Sequence, residues 1–160
     1  MSIPPLLSDD VIERAFCDPE SIDQAWKTAG ALVADGVAIE ERAKSPGEAL
    51  REMVRLLGDR GLLGLVVPGA YGGTFTEIRS VALCLARERL GHASPLLELA
   101  FAMQGLGSYP ISSRGSEALC AEWLPRVAAG DVVCGIAARH WLASSQWHPS
   151  RIPAPRAIAA

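Results

Sequence analysis

Five helix-start signals follow one another along the first 130 residues and constrain the fold more than any other feature of this sequence. Each has a Ser, Thr or Asp that can accept a hydrogen bond from the first helical turn, followed by a Pro or an acidic residue. They are Asp18-Pro19, Ser45-Pro46-Gly47-Glu48, Thr74-Phe75-Thr76-Glu77, Ser94-Pro95 and Ser116-Glu117. A further short helix can begin at Ser8, since two Asp residues follow it. This succession predicts an all-α fold.

Apolar residues recur at helical spacing after these signals. The first helix carries Ile22, Trp26, Ala29, Val33 and Val37, and the second turns Leu50, Met53, Val54 and Leu57 inward. We expect the helix after Thr74 to end at Gly91. The helix after Ser94 is apolar on most sides, which is typical of the central member of a bundle, and we expect Pro110 to stop it. The sequence therefore predicts an up-and-down helical bundle over residues 1–131.

Two segments depart from the helical pattern. Residues 61–74 are apolar but interrupted by Gly and Pro, which predicts a tightly packed connection rather than a solvated loop. Residues 132–137 form a short β-branched run that predicts a buried strand. Because one strand is not stable alone in water, this segment predicts the start of a middle β domain that the chain does not supply.

Residues 138–160 differ in composition from the rest of the chain. They hold three Arg and no Asp or Glu, so this tail carries +3 and the preceding residues carry -6. The tail shows neither helical nor strand periodicity, and we interpret it as an unrelated extension or a frameshift product. His140 and His148 lie in it, but three Arg make too small a basic patch to indicate nucleic-acid binding, and nothing there indicates a metal site.

Composition excludes several classes of protein. Apolar residues of the AVILMFWYC set make up 49% and the formal net charge is -3, values that do not fit a disordered chain or a nucleic-acid-binding protein. The best apolar stretch is about half the length of a membrane span. The four Cys residues lie far apart without a CxxC pair, which predicts buried thiols and no metal site. The N-terminus lacks the basic and apolar regions of a signal peptide, so we expect a cytoplasmic protein.

Three stretches of the sequence resemble one enzyme family, the flavin-dependent acyl-CoA dehydrogenases. LGDRGLLGLVVPGAYGG, from Leu57 to Gly73, is similar to the segment between two large helices of that family's N-terminal domain. FAMQGLGSYPI and GSEALCAEWLPRVAAGDVVCGIA are similar to its later helices and its exit. The motifs VP-x-x-YGG, GLG-x-x-PI, G-S-E and W-L-P-x-x-A-x-G keep the family's register up to about Ala137.

The resemblance implies an enzyme of three parts: a helical N-terminal domain, a middle β domain and a C-terminal four-helix domain. In that family a glutamate takes the α proton of an acyl-CoA thioester and FAD takes a hydride from the β carbon. This chain resembles the first part only, because Ala138-Arg139-His140-Trp141 stands where the family has T-E-P-x-A-G-S-D. We therefore expect no catalytic residue in this chain, and FAD, the cofactor of the full-length family, is not expected to bind it stably.

The resemblance also implies where an acyl-CoA substrate would lie. The helix after Ser94 lines the family's acyl pocket, which makes Leu99, Ala102, Met103 and Leu106 the candidate substrate-binding residues. Apolar residues at this spacing are equally typical of a helical core, so both roles stay open. The small side chain of Ala102 would leave room for a bulky or long acyl chain.

Other polar and glycine-rich features have simpler interpretations. Glu98 on a mostly apolar helix could be a general base, but an acid in the first turn is more often bound to the helix N-terminus. His92 has no visible orienting partner. The run Arg87-Glu88-Arg89 is typical of a solvated helix end. Gly105-Leu106-Gly107 follows a helix and is not a phosphate-binding G-x-G-x-x-G loop.

Two hypotheses about function follow. In the first, the chain is the N-terminal domain of an acyl-CoA dehydrogenase, truncated and inactive alone. In the second, it is a non-catalytic helical interaction module that docks to a separate chain carrying the flavin and catalytic domains. Homo- or hetero-oligomers fit either hypothesis, and a degraded gene product without function is a third possibility.

Overall fold

Five α-helices and two short 3-10 helices make up the computed structural model, which describes residues 19–136 and the side chains of residues 23–136. The α-helices are α1 (Pro19–Arg42), α2 (Pro46–Asp59), α3 (Ser80–Gly91), α4 (Pro95–Arg114) and α5 (Glu117–Ala128). The 3-10 helices, Leu62–Val66 and Gly69–Tyr71, lie between α2 and α3. The all-α fold is confirmed. The helix expected at Ser8 and the tail 138–160 lie outside the described residues.

Helices α1 and α2 begin where their Pro residues predict. In α2, Ser45 Oγ accepts a hydrogen bond from the backbone N–H of Glu48 at 3.3 Å, and the Glu48 carboxylate accepts one from the Lys44 N–H at 3.0 Å. Met53, Val54 and Leu57 are buried as expected, whereas Leu50 is half-buried.

The buried face of α1 is rotated relative to its predicted stripe. Val33 and Val37 are half-buried, while Ala25, Leu32 and Ile39 enter the core. An apolar stripe of this width is compatible with both orientations, and contact with α2 and α3 selects one of them.

The connection between α2 and α3 is as tightly packed as predicted. Gly61 adopts φ 74°, a left-handed conformation that glycine tolerates, and the chain then enters the 3-10 helix, where all five residues are buried. The backbone N–H of Thr74 donates to the carbonyl of Gly64 at 2.8 Å and closes the connection on itself.

The helix predicted to start at Thr74 begins later, so that prediction is wrong. Residues 74–79 are bends and irregular backbone, and α3 begins at Ser80 with Arg79 as an N-cap that makes no side-chain capping bond. Tertiary contacts override the local signal, because the Thr74 N–H is taken by Gly64 and Phe75 is buried in the core. The Arg79 guanidinium lies 4.8 Å from the centre of the Phe75 ring.

Helix α4 is central, as its apolar surface predicts. It packs against the other four α-helices and the first 3-10 helix. Its start is capped by Ser94, whose Oγ accepts from the Leu97 N–H at 3.1 Å and donates to the carboxylate of Glu40 in α1 at 2.5 Å.

Pro110 does not stop α4, which continues to Arg114, so that prediction is also wrong. The extra turn has its own partners. Ser113 Oγ donates to the Tyr109 carbonyl at 2.7 Å, and the thiol of buried Cys120 in α5 donates to the Ile111 carbonyl at 3.2 Å. Packing against α5 therefore supports the turn after the proline.

The predicted strand over 132–137 is a further correction, since residues 132–136 form no strand and residue 137 lies outside the described part. No second strand exists among residues 19–136 to pair with it. The Gln104 side chain of α4 binds this exit segment instead. Its Nε2 donates to the Val132 carbonyl at 2.8 Å, and its Oε1 accepts from the Cys134 N–H.

Candidate functional site

An apolar cavity of about 240 Å³ lies between α3, α4 and the first 3-10 helix. Its lining is mostly aliphatic or aromatic and includes Val66, Ile78, Leu83, Phe101, Ala102 and Leu106. Ser80, Cys84 and Arg87 of α3 add the few polar atoms that border it. A cavity of this composition suits an apolar group of a ligand, with few positions for hydrogen bonds.

Two small residues of α4 shape the cavity. At Gly105 an added Cβ would lie 3.2 Å from a methyl group of Val66, so the glycine permits the close approach of the 3-10 helix. Ala102 lines the cavity one turn before Leu106 and leaves space that a larger side chain would occupy.

The structure divides the four candidate substrate-binding residues into two pairs. Ala102 and Leu106 border the cavity, whereas Leu99 and Met103 are not among its lining residues. Leu99 is 42% exposed and Met103 is half-buried. Helical periodicity explains the division, because residues 99 and 103 lie beside residues 102 and 106 but further around the helix.

Arg87 of α3 borders the same cavity and forms an ion pair with Glu98 of α4, and sequence reasoning did not place this arginine at the site. Arg87 Nε lies 2.5 Å from Glu98 Oε1. Arg87 was interpreted as part of a solvated helix end, yet it lines the cavity. Glu98 does lie in the first turn of α4, as its alternative interpretation requires, and it binds a guanidinium there. Only the placement of α3 beside α4 brings these residues together, so sequence spacing gave no signal.

His92 is exposed at the end of α3 and does not line the cavity. Gly105-Leu106-Gly107 is helical, and its first two residues border the cavity. Within residues 19–136 no three His, Cys, Asp or Glu side chains are placed to hold a metal ion. His140 and His148 lie outside the described residues.

The cysteine prediction needs one correction. Cys120 is buried and Cys134 is half-buried, but Cys84 is exposed, since it lies at the edge of the cavity rather than in the core. Burial raises the pKa of the Cys134 thiol. Cys17 lies outside the described residues.

A set of exposed large apolar side chains lies on α4 and the exit segment. Its members are Leu99, Leu106, Tyr109, Val133 and Ile136. The Gln104 hydrogen bonds hold the exit segment against α4. No helix of the described part is long and apolar enough to cross a membrane.

The fold and site define an all-α domain with an apolar cavity beside its central helix. A family model described as acyl-CoA dehydrogenase, N-terminal domain, matches residues 19–131. The chain belongs to this family.

Relatives of this chain include two dehydrogenases named for different acyl-CoA substrates and one named only as a probable acyl-CoA dehydrogenase. It is 32% identical over 85 residues to a glutaryl-CoA dehydrogenase from Desulfococcus multivorans, covering 52% of this chain and 22% of the relative. It is 35% identical over 81 residues to a cyclohexane-1-carbonyl-CoA dehydrogenase from Geobacter metallireducens, covering 51% and 21%. It is 32% identical over 116 residues to a probable acyl-CoA dehydrogenase from Mycobacterium leprae, covering 69% and 28%. The matched regions thus span between about a fifth and just over a quarter of these relatives.

FAD is the cofactor of this family, and the described residues do not by themselves fit it. A dinucleotide needs cationic or backbone donors for its phosphates beside a space for its rings. The guanidinium at the cavity, that of Arg87, is bound to Glu98, and the cavity is small and apolar. No chemical step through a flavin is therefore derived from residues 19–136.

Proposed function

We propose that this chain supplies the helical wall of an acyl-binding site, as part of an enzyme that desaturates an acyl-CoA thioester between its α and β carbons. The observation that carries the proposal is the apolar cavity bordered by Ala102 and Leu106, on the helix that family resemblance associates with the acyl group. Family membership over residues 19–131 and the dehydrogenases among the relatives support it.

The role proposed for the chain's own residues is binding and exclusion of water. Ala102, Leu106 and Phe101 would contact the acyl chain, and burial of each methylene against them would contribute ~0.8 kcal/mol. The described lining holds no carboxylate or imidazole, so abstraction of the α proton is assigned to residues outside it. Leu99 and Met103 would act from the adjacent exposed surface, where another domain or chain could complete the site.

The proposed division of the chain follows the sequence prediction. We propose that residues 1–131 are the helical domain, that residues 132–137 are the start of a middle β domain, and that residues 138–160 are an unrelated or frameshifted tail. Reading the DNA downstream of codon 137 in all three frames tests the tail. A frame that encodes T-E-P-x-A-G-S-D after a small insertion or deletion supports a frameshift, and its absence contradicts one.

The experiment for this function uses the full 160-residue chain. Calorimetric titration should show that hexanoyl-CoA binds more tightly than free CoA, because only the former carries a group for the cavity. The purified protein should lack a flavin absorption band and should not reduce an artificial electron acceptor with acyl-CoA. Equal binding of CoA and hexanoyl-CoA would contradict the acyl-binding role, and turnover would contradict the assignment of the chemistry to other domains.

A second candidate function is favoured by the exposed apolar side chains of α4 and the exit segment. In this alternative the chain is a non-catalytic module that docks to a separate chain carrying the flavin and catalytic domains. A neighbouring gene that encodes those domains without a helical domain of its own would favour it. Co-expression of the two chains should then give one complex on gel filtration, and separate elution would contradict the alternative.

A further inference from the structure

Arg87 stands between two cavities. It borders the apolar cavity together with Phe101 and Ala102, and it also borders a second cavity of about 530 Å³ beyond α3 and the start of α4. Cys84, one turn earlier on α3, lines both cavities as well. The outer cavity is completed by more polar residues, including Glu88 and Glu98. The Arg87 side chain therefore lies between the apolar cavity and the more polar outer cavity.

Glu98 balances the positive charge of the Arg87 guanidinium. Its Oε1 lies 2.5 Å from Arg87 Nε, within the range of a charge-assisted hydrogen bond. The Glu98 side chain is 22% exposed and that of Arg87 is 53% exposed, so the carboxylate is the more buried partner. Without it, the guanidinium would place a positive charge beside an apolar cavity, where an anionic group of a ligand could pair with it.

We propose that the Arg87–Glu98 ion pair determines the charge selectivity of the apolar cavity. It admits acyl groups with an uncharged end and disfavours those that end in a carboxylate, because the Glu98 carboxylate bonded to Arg87 Nε already balances the guanidinium charge. Glu98 is a specificity-determining residue that acts through Arg87, and this inference rests on the proposed acyl-binding function.

The first test compares two acyl-CoA ligands on the full chain. Hexanoyl-CoA has an uncharged end and glutaryl-CoA ends in a carboxylate. Calorimetry measures the ratio of the affinity for glutaryl-CoA to the affinity for hexanoyl-CoA. This ratio should be about fivefold higher in Glu98→Gln than in wild type, which is the factor expected for a partly exposed charge pair. The double variant Arg87→Met with Glu98→Gln should lose this gain. An unchanged ratio in Glu98→Gln would overturn the proposal.

The control is a second ion pair away from the apolar cavity, with an equally exposed arginine and a more exposed carboxylate. Arg60 lies 2.9 Å from Asp35, with side chains 52% and 49% exposed. Asp35→Asn should leave the hexanoyl-to-glutaryl ratio at its wild-type value. The same shift in Asp35→Asn as in Glu98→Gln would attribute the effect to net charge and would also overturn the proposal.

A second readout separates this inference from the proposed function. Cys84 is exposed beside Arg87 and can be modified by neutral and anionic alkyl methanethiosulfonates, which form a disulfide with its Sγ and release a sulfinate. The ratio of the modification rate with the anionic reagent to that with the neutral reagent should rise severalfold in Glu98→Gln. The same measurement on Cys84→Ser proteins gives the background rate. If no acyl-CoA binds any variant, the proposed function fails. The ratio of modification rates still tests the inference in that case: a rise in Glu98→Gln supports charge balancing by Glu98, and no rise contradicts it.

Discussion

The side-chain amide of Gln104 holds the backbone of Cys134, with Oε1 accepting from the Cys134 N–H while Nε2 donates to the Val132 carbonyl at 2.8 Å. These two backbone groups flank Val133, and a neighbouring parallel strand would bind the same N–H and C=O of an extended chain. Gln104 is fully buried in α4. One side chain thus takes the place of a strand partner and fixes where the chain leaves the helical domain.

Replacement of Gln104 by Leu should loosen this exit. The change removes two hydrogen bonds and leaves the buried side of the Val132 carbonyl and the Cys134 N–H without partners, at a cost of ~1–3 kcal/mol. Urea denaturation should show the lower free energy of unfolding, and hydrogen exchange should show faster exchange at the Cys134 amide. Ser112→Ala, which removes a hydroxyl bond to the Tyr109 carbonyl outside the core, is the control and should change the exchange at residue 134 little.

Ser94→Ala should destabilise the protein more than the loss of an ordinary helix cap. Ser94 is 1% exposed, and its hydroxyl both caps α4 and donates to Glu40 of α1. Loss of the cap alone costs ~1 kcal/mol, and the unpartnered groups add to this, so we expect ~2 kcal/mol in thermal or urea unfolding. Ser116 caps α5 at an exposed position with one bond, so Ser116→Ala should cost less. Equal costs would contradict the role of the Glu40 contact.

Two glycines of α2 should respond to alanine in opposite ways. At Gly58 an added Cβ would lie 2.6 Å from the Gly130 backbone nitrogen and closer still to the Ala129 carbonyl oxygen. Because both obstacles are backbone, Gly58→Ala should cost several kcal/mol. At Gly47 the nearest atom is Arg51 Nη1 at 3.8 Å, and Gly47→Ala should be neutral or stabilise by up to ~1 kcal/mol. Thermal unfolding of both variants checks the contrast, which would fail if they lost stability equally.

Local capping chemistry predicted much of the fold, and its failures have a common cause. The signals at Ser45, Ser94 and Ser116 all cap helices as their sequences indicate. Thr74 has the same signal, but its backbone N–H binds Gly64 across the connection. Pro110 fails to end α4 because α5 supports the following turn. In both cases the deciding partner lies outside the capping or stop signal itself, on the other side of a turn.

The sequence predicted the helix of the candidate site, α4, but not which residues of α3 pack against it. Family resemblance selected α4, and two of the four selected residues, Ala102 and Leu106, border the cavity. Helical spacing alone does not say which side of α4 faces α3, so Leu99 and Met103 were grouped with them. Arg87 joins the site through the packing of α3 on α4, which no local pattern encodes.

Ala102→Leu should reduce binding of acyl-CoA by the full chain at least tenfold, because the larger side chain occupies the space that Ala102 leaves in the cavity. Fluorescence or calorimetric titration with hexanoyl-CoA measures the effect, and urea denaturation confirms that the variant is folded. Met103→Leu is the matched control, since Met103 does not line the cavity and the two side chains are similar in volume. A larger loss in Met103→Leu than in Ala102→Leu would contradict the proposed location of the acyl group.

The Cys134 thiol should make the protein less stable at alkaline pH. Burial raises the pKa of this thiol, so the folded state retains the proton over a range where the unfolded chain has lost it. Stability from this group is fully present below the ordinary thiol pKa of ~8.5 and declines as the pH rises toward and through the raised pKa of the folded state. Urea denaturation midpoints of the wild type should fall between neutral and alkaline pH. They should fall less steeply for Cys134→Ala. The control Cys84→Ala, which removes an exposed thiol, should keep the wild-type slope. Identical slopes for wild type and Cys134→Ala would show that ionisation of Cys134 is not linked to unfolding.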